Sequence, residues 1–138
     1  MRIDHVAHSS RDPHATHRFY TEVMGFELVQ AYAGRELLLV YSVPDGGSLA
    51  FTASPDAAVI PQLNSPWEQN HVGLTLSSRA DFQHWLKRLK QLAIPHRVID
   101  DERVYFSDPD GLVLELEVAC EMPRDPAASE ILALWKQK

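Results

Sequence analysis

VYFSDPDGLVLELEV, residues 104–118, is the stretch on which the fold turns. It reads as two strands joined by a tight turn at Asp108-Pro109-Asp110-Gly111. The second strand sets an acid, Glu115, among leucines. Acids are disfavoured in strands and costly to bury unless they are paired or hold a metal. Glu115 is therefore a candidate metal carboxylate, with His5 and His71 as the other candidate ligands.

The same turn occurs earlier in the chain. Pro44-Asp45-Gly46-Gly47-Ser48-Leu49-Ala50-Phe51 overlays Pro109-Asp110-Gly111-Leu112-Val113-Leu114-Glu115-Leu116, with Pro, Asp, Gly and one Leu coinciding. Asp4-His5-Val6-Ala7 likewise overlays Asn70-His71-Val72-Gly73. Each half opens with a strand carrying His and closes with a strand after a Pro-Asp-Gly turn. Such a duplication pairs its halves about a pseudo-twofold axis.

Between those landmarks each half reads βαβββ. In the first, a strand within residues 2–9 precedes a helix that Asp12 caps and Pro13 starts. That helix runs to Met24 and stops at Gly25, with Thr16, Phe19, Tyr20, Val23 and Met24 on its core face. Strands over residues 26–33, 36–43 and 48–54 follow. In the second half, a strand over 71–76 leads to a helix opened by Ser78, with Asp81 as a capping-box-like acid. Phe82, Trp85, Leu86, Leu89 and Leu92 form its core face, and Pro95 ends it. Strands over 97–99, 103–107 and 112–119 complete the copy.

The expected fold class is α+β: two βαβββ modules and a C-terminal helix in a single domain, 1–138. Module one spans 2–54, a linker or loop over the site 55–69, module two 70–119 and a helical tail 120–138. The linker has Ile60, Leu63 and Trp67 as apolar anchors. In the tail a helix is expected over 127–137, with Ile131, Leu134 and Trp135 packing on the body or on a partner chain.

Composition excludes several classes. Hydrophobic residues are 45% and charged residues 23%, which fits a soluble globular protein. A net charge of −6 without a basic run argues against nucleic acid and anionic membranes as partners. Lys87, Arg88 and Lys90 form the densest basic patch and suit the wet face of a helix. The single cysteine, Cys120, permits no intrachain disulfide and is read as structural. With no signal segment and no apolar run long enough to span a membrane, the expectation is a cytoplasmic protein.

Strand alternation orients the candidate ligands. Val113, Glu115 and Glu117 face one side of the last strand, while Leu112, Leu114, Leu116 and Val118 face the helix-covered side. His71 shares its side with Gly73 and Thr75, and His5 lies opposite Val6. All three candidates thus point away from the helices. Two histidines and a carboxylate suit Fe(II), Mn, Zn, Ni or Co and leave positions open for substrate. Glu117 is either an outer partner that orients a histidine or a solvated rim residue. His14, His17 and His84 are read as surface residues, His8 as facing away from His5, and His96 as part of a turn.

The opening histidine, Phe19-Tyr20-Thr21-Glu22-Val23-Met24-Gly25-Phe26, His71-Val72-Gly73, Tyr105-Phe106-Ser107-Asp108-Pro109-Asp110-Gly111 and Glu115 together resemble the vicinal-oxygen-chelate superfamily. That group includes glyoxalase I, extradiol ring-cleaving dioxygenases, fosfomycin-resistance thiol transferases and bleomycin-binding proteins. The resemblance implies paired modules whose strands form a curved mixed sheet around a divalent metal, held by His5, His71 and Glu115. It also implies a homodimer whose sites are shared, with His5 from one chain and His71 and Glu115 from the other. Four-ligand glyoxalase I enzymes carry a second Glu where this chain has Ala50, and a methyl group cannot ligate. Bleomycin-binding members generally lack the ligands.

The expectation is a metal-dependent enzyme acting on a small substrate with adjacent oxygens, leaning to a ring-cleaving dioxygenase-like oxidoreductase. Fe(II) or Mn(II) is favoured, with Zn(II), Ni(II) and Co(II) as alternatives, and Tyr105 is the candidate catalytic residue. The alternatives are a glyoxalase I-like lyase or isomerase and a non-catalytic small-molecule-binding protein. A fosfomycin-type reaction would need a cationic pocket. Arg35, Arg97 and Arg103 are the available bases, in no pattern the sequence assigns.

Overall fold

Asp12 and Ser78 start the two main helices by the same device. Asp12 Oδ1 accepts from the amides of His14 and Ala15 at 3.0 and 3.1 Å. Ser78 Oγ accepts from the Asp81 amide at 3.1 Å, and Asp81 in turn accepts from Ser77 Oγ at 2.7 Å. These bonds satisfy amides that have no partner within the first helical turn. Hydrogen bonding with Ser77, and then Ser78, also holds the Asp81 carboxyl below its ordinary range.

The computed structural model describes residues 1–54, 71–120 and 126–134. Its elements are β1 (His5–Ser9), α1 (Pro13–Arg18), a π-helical turn (Phe19–Val23), β2 (Glu27–Ala33), β3 (Leu37–Ser42) and β4 (Ser48–Ala53). Then come β5 (Val72–Leu76), α2 (Arg79–Gln91), β6 (His96–Val98), β7 (Arg103–Ser107), β8 (Val113–Val118) and α3 (Ala128–Leu134). They form two four-stranded mixed sheets in equivalent order, β1-β4-β3-β2 and β5-β8-β7-β6. The outer pairs β1/β4 and β5/β8 are parallel and the remaining pairs antiparallel. The two βαβββ modules expected from the repeat are present.

Register confirms the internal overlay. Ala7 lies opposite Ala50 in the first sheet, and Gly73 opposite Glu115 in the second. Ala50 therefore occupies the position in module one that Glu115 occupies in module two.

The modules share one core. Phe19, Tyr20, Tyr41 and Phe51 from the first join Phe82, Leu89, Val104, Phe106, Leu114 and Leu116 from the second. Phe19 meets Phe106 across the junction, with ring centroids 6.3 Å apart. The Asp108–Gly111 turn adds polar contacts to this junction. Asp108 accepts from Tyr20 Oη and from the amides of Asp110 and Leu112, each at 2.9 Å. Asp110 Oδ1 accepts from Arg11 N and Nε at 3.1 Å. Gly111 closes the turn at φ 86°, a conformation that favours glycine. The equivalent turn in module one is exposed at Asp45 and Gly46.

Several details differ from the sequence expectation. The first helix is α-helical only to Arg18 and then widens, with the Met24 amide donating to Phe19 O at 3.1 Å. The extra residue per turn lets the adjacent rings of Phe19 and Tyr20 both enter the core. Leu92 is 45% exposed rather than part of the core face of α2, because it lies at the C-cap after the helix has ended. His17 is half-buried rather than a surface residue, paired with Tyr41 Oη at 3.1 Å. Ile131 and Leu134 on α3 are 59% and 78% exposed, so this helix does not bury them within the chain. The 55–69 linker with Ile60, Leu63 and Trp67, together with Asn70 and Trp135, lies outside the described residues.

Candidate metal centre

Edge strands position both candidate histidines. β1 and β5 are the outer strands of their sheets, and His5 opens β1 while His71 immediately precedes β5. Glu115 lies inside β8, between the buried Leu114 and Leu116. Those leucines face the helices, so the carboxylate projects from the opposite face.

Module two brings two of the three candidates together. His71 Nε2 lies 2.8 Å from Glu115 Oε2, with side chains 25% and 7% exposed. A Cβ added at Gly73, opposite Glu115, would meet nothing within 4 Å. The pair thus borders open space, as a metal and a substrate require. Tyr105 is also opposite Glu115 and is buried, its ring edge-on to His71 with centroids 5.2 Å apart.

His5 lies on the other sheet, with its side chain 58% exposed. Among the described residues of one chain, no three His, Cys, Asp or Glu side chains converge on a metal-sized site. His5 Nδ1 donates to Asp4 Oδ2 at 3.1 Å, which leaves Nε2 as its acceptor nitrogen. A carboxylate on one imidazole nitrogen is the usual way a ligating histidine is oriented. Sequence reasoning passed over Asp4, although its adjacency to His5 was the signal. His71 and Glu115 fit a divalent ion as neighbouring imidazole and carboxylate donors.

Arg103 was also left unassigned by the sequence. Its Nε is 3.9 Å from Glu115 Oε1 and its Nη2 is 3.8 Å from Asp100 Oδ2. Glu117 sits directly opposite Arg103, at the half-exposed end of the same face. His8 bonds to Ser9 O, His96 to Ile94 O, and His14 and His84 are exposed, so none of these joins the site. Cys120 is exposed. No described helix is long and apolar enough to cross a membrane.

Solved structures share this architecture. A glyoxalase/bleomycin resistance protein/dioxygenase domain from Frankia sp. EAN1pec is similar at TM-score 0.72 and 17% identity, over 87% of this chain and 98% of that one. A glyoxalase family protein from Enterococcus faecalis matches at TM-score 0.68 and 22% identity, over 84% and 96% of the two chains. A variant of the fosfomycin resistance protein FosX from Listeria monocytogenes, complexed with Mn(II) and 1S,2S-dihydroxypropylphosphonic acid, matches at TM-score 0.68 and 15% identity, over 86% and 93%. At these identities the likeness is one of fold. A search of curated proteins found no match to this sequence. The family model of the glyoxalase/bleomycin resistance protein/dioxygenase superfamily matches residues 2–116, and the chain belongs to that superfamily.

Proposed function

We propose that this protein is a divalent-metal enzyme that binds a small substrate through two adjacent oxygens, with His5, His71 and Glu115 as ligands. The observation that carries the proposal is the His71–Glu115 pair at 2.8 Å, on the face of β8 opposite the buried leucines and with open space at Gly73. When bound, a divalent ion supplies Lewis acidity that holds both oxygens and stabilises an enolate or catecholate. His71 and Glu115 come from one chain. His5 comes from the partner in a homodimer, a role supported by its exposed position on an edge strand beside Ile3 and Val6, which are 85% and 39% exposed.

Ring cleavage of a catechol-like substrate is the reaction that fits this set best. In this reading Tyr105, against His71 and opposite Glu115, exchanges a proton with a substrate oxygen, a role its position beside the pair supports. Ala50, the register twin of Glu115, removes the second acid that glyoxalase I chemistry uses. FosX, bound to Mn(II), supports Mn(II) alongside Fe(II) as the ion to test first.

Metal analysis after reconstitution with Fe(II), Mn(II), Ni(II) or Zn(II) tests the proposal, followed by oxygen uptake with catechols under Fe(II). Roughly one equivalent of metal per chain is expected. Protein that takes up none of these ions would overturn the metal-enzyme reading. Turnover of methylglyoxal with glutathione under Ni(II) or Zn(II), without oxygen uptake, would replace ring cleavage by the glyoxalase reaction.

A further inference from the structure

The strand register sets two arginines on the face that carries Glu115. Arg97 on β6 is opposite Tyr105 on β7, Tyr105 is opposite Glu115 on β8, and Glu115 is opposite Gly73 on β5. Directly opposed residues project from the same face of a sheet. Arg97, Tyr105, Glu115 and Gly73 therefore form one row across the second sheet. Arg103, Glu117 and Thr75 form the neighbouring row.

Arg103 is not consumed by its carboxylate neighbours. Its contacts to Glu115 and Asp100, at 3.9 and 3.8 Å, exceed hydrogen-bond length, and its side chain is 46% exposed. Glu115 makes its short contact with His71 instead, at 2.8 Å. A guanidinium with donors to spare, beside a second guanidinium two strands from Glu115, matches an oxyanion in a way that a surface lysine does not. Adjacent strands lie about 4.8 Å apart, so Arg97 is rooted roughly two strand spacings from Glu115, with Tyr105 between them.

From this row we infer that the substrate of the site carries a carboxylate or phosphonate group, gripped by Arg103 and Arg97, at the end opposite its two adjacent oxygens. The inference rests on the metal-site proposal for the placement of those oxygens. The anion grip itself is a property of the arginines. Arg35, in the turn between β2 and β3, belongs to the first sheet and not to this row.

The test compares catechol with 3,4-dihydroxybenzoate, which adds one carboxylate to the same ring, by calorimetry on Mn(II)-loaded protein. Wild type is expected to bind the acid at least about tenfold more tightly than catechol, the scale of one charge-assisted hydrogen bond. In Arg97→Ala and Arg103→Ala that advantage, read in each variant as the ratio of the two affinities, collapses. Equal affinities in wild type, or an advantage that survives in both variants, overturns the inference.

If Mn(II) and catechol fail to bind, the metal proposal fails and a second readout decides the anion site. Phenylphosphonate is titrated while the arginine Nε–Hε resonances are followed by NMR. Saturable shifts of the Arg97 and Arg103 signals support the grip, and unmoved signals refute it.

Discussion

Tyr20 donates a hydrogen bond to Asp108 across the module junction, Oη to Oδ2 at 2.9 Å, and both side chains are buried. Burial, then the Asp108 charge and the shared hydrogen bond, push the Tyr20 phenol far above its ordinary range. Burial also raises the Asp108 carboxyl, although the bonds from Tyr20 and from the Leu112 and Asp110 amides pull it back. The pair is therefore a neutral phenol supporting a costly carboxylate. Tyr20→Phe removes that support and leaves Oδ2 short of a donor. A loss of about 1–3 kcal/mol in urea unfolding is expected, and an unchanged midpoint would contradict the role assigned to the bond.

The same carboxylate gives a pH signature with a definite sign. Asp108 has a raised pKa in the folded state, so over that window the native protein binds more protons than the unfolded chain. Its contribution is fully present below the unfolded value and is lost as pH rises through the folded one. Asp108→Asn does not titrate. The stability of wild type relative to Asp108→Asn should therefore fall as pH rises from about 3.9 towards neutrality. A difference that grows across that range has the wrong sign.

Loss of either paired ligand should separate metal binding from folding. His71→Ala and Glu115→Ala are each expected to abolish stoichiometric uptake of Mn(II) or Fe(II), with far-ultraviolet circular dichroism unchanged. Stoichiometric metal retained in both variants would rule out the proposed site.

In the proposed site Asp4 would act on the metal only through His5, to which it is hydrogen-bonded. Asp4→Asn is expected to weaken metal affinity roughly 10–100-fold, the range for outer partners of ligating histidines. A conservative Asp4→Glu should recover part of that loss. Identical affinities in all three proteins would show that the Asp4–His5 bond is incidental.

Ala50→Glu tests the duplication chemically. It places a carboxylate at the register twin of Glu115. In the proposed site shared between two chains this would add a fourth donor, and Ni(II) or Zn(II) affinity is expected to rise on the order of tenfold or more. No change would mean that the two modules do not meet around one metal.

Much of the architecture was legible because local rules agreed with one another. Asp12-Pro13, Ser78 and the Pro-Asp-Gly turns fixed element ends, and alternation in β8 fixed which face Glu115 takes. The π-helical turn was not legible, because Phe19 and Tyr20 satisfy α-helical periodicity until the core claims both rings. His17 resembled a surface residue for a similar reason: its partner, Tyr41, arrives from β3. The relation of Arg97 and Arg103 to Glu115 is a matter of cross-strand register, which no single segment encodes.

The polar contacts at Asp108 and Asp110 also bear on the autonomy of the halves. The chain reads as one motif written twice, and a duplicated motif invites the thought that either copy could stand alone. Yet the phenol that sustains the second copy's buried carboxylate belongs to the first, as does the arginine that clasps Asp110. Excising either copy would strip polar groups of their partners and bare the rings of Phe19 or Phe106. The two halves are therefore bound to melt together, as a single cooperative unit.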